Sequence, residues 1–437
     1  MLARGTAEIG GGSSFTRAAA TAAAAAFGAV GGGGGEGGGG GVCGGGHPPI
    51  SSWNYKILLV LLLAIGNVSA GNWMYLGVVG VTPLLPQGDQ EVQNVSTSSA
   101  VSICQHLPGL VQQQVAVCQS NPDTIKSVSA GARRGISECQ NQFRNERWNC
   151  TTGGDVDMPF GYTIKRGSKE TAFIYAVTSA GVVHAVTQAC SSGNLTDCSC
   201  DMSKQGLSTP EGWKWGGCSD NLRFGIQFAR QFVDAPEKER HKKFKRKRNL
   251  MNLHNNEAGR EAVARLMKMQ CRCHGVSGSC EVKTCWRSIP TFSAVGDYLK
   301  LKYHSAVQVM EGLHDNLQLK RKKRRSSSRR REPPRRRRRK RRSRRNRRFP
   351  AGKDDLVHIH KSPNYCVQDK KKGILGTHGR YCNKTSNGAD SCKLLCCGRG
   401  YNTKVETYVD RCHCKFVWCC YVKCKTCVTN VDVYTCK

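Results

Sequence analysis

Acidic side chains are scarce in this 437-residue chain: 31 Asp and Glu stand against 67 Lys and Arg, for a formal net charge of +36. The imbalance is concentrated in "KRKKRRSSSRRREPPRRRRRKRRSRRNRR", Lys320 to Arg348, where twenty-one residues are basic and Glu332 alone is acidic. Like charges at that density repel and bury no apolar area, which excludes a packed domain there and predicts disorder. A long apolar run is missing from the leader as well. Ile57 to Ile65 spans nine residues, whereas a bilayer of roughly 30 Å takes about 20 in a helix. With Lys56 ahead of it and Val68-Ser69-Ala70 behind, the stretch reads as a cleavable secretion signal, and an uncleaved anchor is the weaker reading. The residues before it are rich in Ala and Gly and lack any core-forming pattern. They are either an unusual leader or the product of an upstream translation start, and cleavage after Ala70 removes them. A nucleophile elbow, G-x-S-x-G, is not supplied by "GVSGS", Gly275 to Ser279.

Cysteine is abundant instead: 25 residues, of which Cys43 is isolated and the others form two groups of twelve, Cys104 to Cys285 and Cys366 to Cys436. Even counts at close spacing behind a secretion signal point to disulfides in an oxidising compartment. Zinc is the alternative, since Cys271-x-Cys273-His274 and Cys424-x-x-Cys427 have ligand-like spacings. Disulfides are the expected state, with no metal or dissociable cofactor. Sequons at Asn94, Asn149, Asn194 and Asn383 are candidate N-glycan acceptors, and a further one, Asn67, falls inside the signal region.

The basic segment has two readings, a solvated linker or a polyanion site driven by counterion release. For a secreted chain the available polyanion is cell-surface heparan sulfate rather than nucleic acid, with Arg335, Arg336, Arg337, Arg338, Arg339 and Lys340 as the densest run. "HKKFKRKR", His241 to Arg248, extends that footprint, and Arg321-Lys322-Lys323-Arg324 resembles a proprotein-convertase site.

Periodicity separates two halves. Ile125, Val128, Ala132, Ile136, Cys139 and Phe143 recur at helical spacing and read as the core face of a helix. Glu170 to Cys190 is apolar on most sides and reads as a buried helix, which makes His184 a packed core residue rather than a ligand. Asn256 to Gln270 predicts an amphipathic helix leading into "CRCHGVSGSCEVKTCW". After Cys366, β-branched and aromatic residues alternate with cysteines, predicting short β-hairpins with little core, held by cross-links. The fold class is therefore α+β: a low-complexity leader and signal (1–70), a helical N-terminal domain (71–310), a basic disordered linker (311–358) and a cysteine-rich C-terminal domain (359–437).

Within "CRCHGVSGSCEVKTCW" a catalytic serine is the less favoured role for Ser279, because a cross-linked hairpin in solvent has no cleft or oxyanion hole. The alternative is a serine displayed at the tip of a rigid loop as the substrate of another enzyme. That stretch, with "ECQNQFRNERWNC", "WKWGGCSDN", "MNLHNNEAGR", "CCGRGYNT" and "CKFVWCCYVKC", resembles the Wnt family of secreted, lipid-modified glycoproteins from about Cys104 to Lys437. "KETAFIYAV", "KSPNYCV" and the basic linker place the chain nearest the subgroup numbered sixteen.

The resemblance implies a non-enzymatic ligand with two projecting hairpins. The thumb (271–285) carries bridges Cys271–Cys285 and Cys273–Cys280, with Ser279 bearing a palmitoleate added by the acyltransferase Porcupine. The index finger (412–427) carries Cys412–Cys427 and Cys414–Cys424, with Phe416, Val417, Trp418 and a vicinal Cys419–Cys420 bridge at its tip. The alternative for Trp418 is burial within the C-terminal domain. The remaining implied pairs are 139–150, 190–198, 200–218, 366–397, 382–392 and 396–436, leaving Cys104 for Cys118. Implied partners are Frizzled receptors, gripped through their cysteine-rich domain, a low-density-lipoprotein-receptor-related co-receptor, the Wntless carrier and heparan sulfate proteoglycans. The implied location is the extracellular space and matrix. A matrix protein and a non-signalling decoy are the alternatives from other classes. The linker is longer and more charged than the family pattern, which touches neither fingertip.

Overall fold

The computed structural model describes residues 72–80, 103–153, 159–243, 246–311, 317–319, 351–418 and 421–437. The chain divides into Met1–Asn67 and Val68–Lys437, and all described residues belong to the second unit. The leader, Cys43, Asn94, Cys419, Cys420 and the run Arg335, Arg336, Arg337, Arg338, Arg339, Lys340 lie outside the described residues.

Among the described residues the longer helices, in chain order, are α1 (Gln112–Ser120), α2 (Thr124–Phe143), α3 (Lys169–Ser191), α4 (Leu222–Phe232), α5 (Ala235–Lys243), α6 (Arg246–Arg265) and α7 (Phe292–His304). α3 is the axis of this half. Every residue from Glu170 to Cys190 except Gln188 is buried. By length and composition it would cross a membrane, yet its most apolar stretch is 94% buried inside the protein, as a core helix is. On α2, Ile125, Val128, Ala132, Ile136, Cys139 and Phe143 are all buried. Gly131 of α2 meets Gly181 of α3 so closely that a Cβ on either would overlap the other's carbonyl oxygen. Two helices touching backbone to backbone explain why glycine stands there despite its helix cost of about 1 kcal/mol. α6 approaches α3 in the same way through Gly259, against the Ala176 carbonyl.

Several polar groups in this core are partnered. Arg260 and Asp234, with side chains 2% and 7% exposed, form a bidentate pair at 3.0 Å. Asn256 donates to the same carboxylate at 3.0 Å and Glu257 accepts from Arg260. His184 sits 2.9 Å from the Pro290 carbonyl through Nε2 and 2.7 Å from the Arg134 guanidinium through Nδ1. A guanidinium only donates, so Nδ1 accepts and Nε2–H donates, and the ring is neutral. Burial holds its pKa below the ordinary value. The expected packed histidine is what the structure contains.

α6 begins earlier and ends sooner than its apolar pattern suggests. The helix stops at Arg265 and the chain from Lys268 is extended, because its cysteines pair across a sheet. The linker expectation over 311–358 gives way at both ends. β4 (Val307–Glu311) pairs antiparallel with β5 (Leu317–Leu319) and parallel with β6 (Val357–His358). Leu356 and Val357 are fully buried, so the residues after the basic run have core to join. Asn255 of α6 bonds the Val357 backbone in both directions, at 3.0 and 2.9 Å, and His254 Nε2 bonds the Asp355 carbonyl at 2.9 Å.

The C-terminal half holds a sheet of order β7–β9–β8, from β7 (Tyr381–Cys382), β8 (Tyr401–Val417) and β9 (Tyr421–Cys436). Its buried apolar cluster is Cys392, Leu395, Cys396 and Cys436. Where short hairpins are expected, one hairpin of 17- and 16-residue strands stands instead. Arg380 ties this half to the helices, donating to the Glu146, Arg147 and Arg144 carbonyls at 2.7, 3.0 and 2.9 Å just beyond α2.

Candidate functional site

Two hairpins carry the candidate residues. The thumb is built from β2 (Lys268–Cys273) and β3 (Lys283–Ser288), antiparallel, with Cys271 directly opposite Cys285. The structure joins Cys271 to Cys285 and Cys273 to Cys280. Beneath them β1 (Lys214–Trp215) adds a third, parallel strand beside Thr284 and Cys285. Gly217 lies against the Trp286 ring, and Lys204 sits 4.8 Å above the Trp215 ring. "WKWGGC" is thus the buttress of the thumb. A two-residue strand gives no periodicity, so the sequence offers no signal for that role.

The loop closes through its own backbone. Gly275 N–H donates to the Ser279 carbonyl at 2.9 Å, Gly278 N–H to Gly275 at 2.9 Å and Ser279 N–H to Val276 at 3.1 Å. Ser277 and Gly278 turn the chain with φ of 56° and 78°. Val276, 87% exposed, and Ser277 form the outermost edge, whereas Ser279 is half-buried on the returning limb. The hydroxyl therefore does not stand at the very tip. Its Oγ occupies the space a Cβ on Gly275 would take, so glycine there keeps the serine in place. His274 Nε2 is 2.7 Å from Thr284 Oγ1, a bond that turns this nitrogen towards β3 rather than Ser279.

The index finger is the outer part of β8 and β9. Cys412 joins Cys427 and Cys414 joins Cys424. The register shifts by one residue between Cys412 and Lys415, a bulge centred on His413, whose φ is 46°. An extra residue flips the alternation of everything beyond it. Phe416 consequently pairs with Val422 and shares a face with Val428 and Val409, and the two bridges lie on opposite faces. Trp418 is 91% exposed, so the reading that packs it inside the C-terminal domain is set aside. Phe416, Tyr421 and Val422 are exposed beside it, and Val417 is half-buried opposite Tyr421. Tyr421 and Val422 are additions to the tip. The strand pairing brings them in.

Other cysteines pair as 104–118, 139–150, 190–198, 200–218, 366–397, 382–392 and 396–436. Among the described residues two groupings have metal-like spacing, Cys382/Cys396/Cys436 and Cys412/His413/Cys427. Every cysteine in them is disulfide-bonded and so offers no thiolate. Among the sequons, Asn194 and Asn383 are exposed and Asn149 is half-buried. Thr151 and Thr385 hydroxyls donate to Asn149 and Asn383 at 2.5 and 2.9 Å.

The Wnt family model matches residues 106–437. Protein Wnt-16 of Bos taurus is 48% identical over 374 residues, covering 84% of this chain and 92% of that protein. Protein Wnt-2b of Homo sapiens is 46% identical over 369 residues, covering 84% and 82% respectively. A chain in the solved complex of human WLS with WNT8A is similar at a TM-score of 0.50 and 36% identity, over 72% of this chain and 94% of that one. The chain belongs to the Wnt family of signalling ligands.

Proposed function

We propose that this ligand is secreted and grips the cysteine-rich domain of a Frizzled receptor between its two hairpins, through an acyl ester on Ser279 and the aromatic tip of the index finger. The observation that carries this reading is the pair of cross-braced hairpins. One holds Ser279 beside a glycine on a closed loop, and the other leaves Trp418 91% exposed on a rigid tip. A large apolar side chain fixed in solvent has no role in the fold's own core and is suited to burial in a partner.

The lipid is the stronger anchor. At about 0.8 kcal/mol per buried CH₂, a palmitoleate gains roughly 10 kcal/mol gross, reduced by ordering and docking. Trp418, Phe416, Val417 and the neighbouring Cys419–Cys420 pair supply the second contact. A single acyl chain anchors only marginally to membranes, so the ligand transfers to receptor while needing a carrier for export. Porcupine is the acyltransferase in this reading. The solved human WLS–WNT8A complex supports Wntless as the carrier. The basic run from Arg335 to Lys340 retains the ligand on heparan sulfate proteoglycans in the extracellular matrix, and a low-density-lipoprotein-receptor-related protein completes the receptor. Asn94, Asn149, Asn194 and Asn383 take N-glycans.

Ser279→Ala tests the proposal. The variant folds, because it removes one hydroxyl from a loop already closed by the Cys273–Cys280 bridge and its own backbone hydrogen bonds, but it takes up no alkyne fatty acid, leaves cells poorly and gives no signal. A secreted, fully active Ser279→Ala chain overturns it.

A further inference from the structure

The shaft of the index finger carries a feature that the fingertip grip leaves unused. In the sheet order β7–β9–β8, β8 is an edge strand among the described residues, and Val405, Tyr408 and Val409 on it are 59%, 46% and 62% exposed. A long exposed edge with apolar side chains is a template for another strand, and native proteins usually blunt it with charge or cover it. Here the charges on the edge are of both signs, and their spacing is self-complementary.

We propose that the span Thr403–Arg411 of β8 pairs antiparallel with the same span of a second copy, about a two-fold axis at Thr407. In that register Lys404 faces Asp410 of the other copy and Asp410 faces its Lys404, giving two opposite-charge pairs from one sequence. Val405 faces Val409 twice, on the opposite face of the sheet. Within each copy Val409 is already paired with Val428, 65% exposed, so the joined sheets bring Val405, Val409 and Val428 of both copies onto one surface. Glu406 faces Tyr408 of the other copy. It is already engaged within its own chain by Lys404 at 3.5 Å and by the Tyr381 and Tyr408 hydroxyls at 3.4 and 3.1 Å. The span ends where the bulge at Cys412–Lys415 bends the strand, which is how a pairing edge is commonly terminated. Nine residues at about 3.4 Å each give a seam of roughly 30 Å. An isologous contact of this kind closes on itself and makes a dimer rather than a fibre. The two fingertips then point to opposite ends of the joined sheet.

Charge exchange tests this without disturbing either hairpin bridge. The glycosylated, acylated full chain is held in neutral detergent micelles and its self-association followed by sedimentation velocity. The native chain forms a dimer. Lys404→Glu alone and Asp410→Lys alone each weaken it at least tenfold, because each sets like charges opposite twice. Mixing these two variants restores the dimer as a heterodimer. The glutamate introduced in one chain then faces the lysine introduced in the other, and the unaltered Asp410 and Lys404 still face each other. Association that ignores both substitutions and their mixing places the contact elsewhere, on the lipid or another surface, and overturns the proposal. So does a native chain that stays monomeric, or single variants that fail to rescue each other.

Discussion

The helical half and the C-terminal half are stabilised by different means. The first buries a continuous core around α3, with glycines letting helices touch and Arg260–Asp234 satisfied inside it. The second has a core of three cysteines and Leu395 under a hairpin whose residues from Tyr401 to Lys415 are mostly exposed. An exposed hairpin of that length is marginal in water unless something else fixes it. Covalent bridges do so, each contributing about 2–4 kcal/mol in the loop-entropy account. The difference shows two ways to build a surface, and on the proposed function it puts recognition on the second: the core supplies a platform, and bridges hold apolar groups in solvent where a core would have swallowed them. The thumb follows the C-terminal rule although it grows out of the helical half.

Three experiments break or sharpen that contrast, beginning with the largest effect. Mild reduction removes several bridges at once. Hydrogen exchange at β8 and β9 becomes fast while α3 amides remain protected, and receptor binding is lost. Equal loss of protection in both regions would mean that the helices depend on bridges as much as the hairpins do. Next, Asp234→Ala leaves the buried Arg260 guanidinium with Glu257 as its remaining carboxylate and a 3.4 Å bond to the Ser179 hydroxyl, and chemical unfolding detects a loss of about 3 kcal/mol. Hairpin bridging and the acylation of Ser279 stay intact in the folded fraction. Smallest in stability is Trp418→Ala, which leaves the melting temperature within about 2 °C because a surface side chain contributes little to folding. It weakens receptor binding at least tenfold, read by surface plasmon resonance.

Much of the helical half is legible in the residues themselves. The stripe from Ile125 to Phe143 and the apolar run from Glu170 to Cys190 bury as their spacing dictates, because helical period and burial are both local properties. The docking of Asp355–Val357 onto His254 and Asn255 is not legible, since it joins residues about a hundred positions apart across the basic run. The candidate site divides the same way. "CRCHGVSGSC" announces a stapled loop around Ser279, and the quoted motifs carry the family. The half-buried position of Ser279, the role of Gly275 beneath its hydroxyl and the buttress of Lys214–Trp215 depend on how strands meet. The bulge at Cys412–Lys415 sets which face Phe416 joins, and one extra residue in a strand leaves no mark on composition.

The most direct test of the proposed binding through an acyl ester on Ser279 is to remove that ester from otherwise native protein. Secreted ligand is treated with a serine-ester hydrolase, its mass checked for loss of one acyl group at Ser279, and its affinity for an isolated Frizzled cysteine-rich domain compared with untreated material. The account predicts at least a hundredfold weaker binding with every bridge still in place. Unchanged affinity after complete deacylation would contradict it.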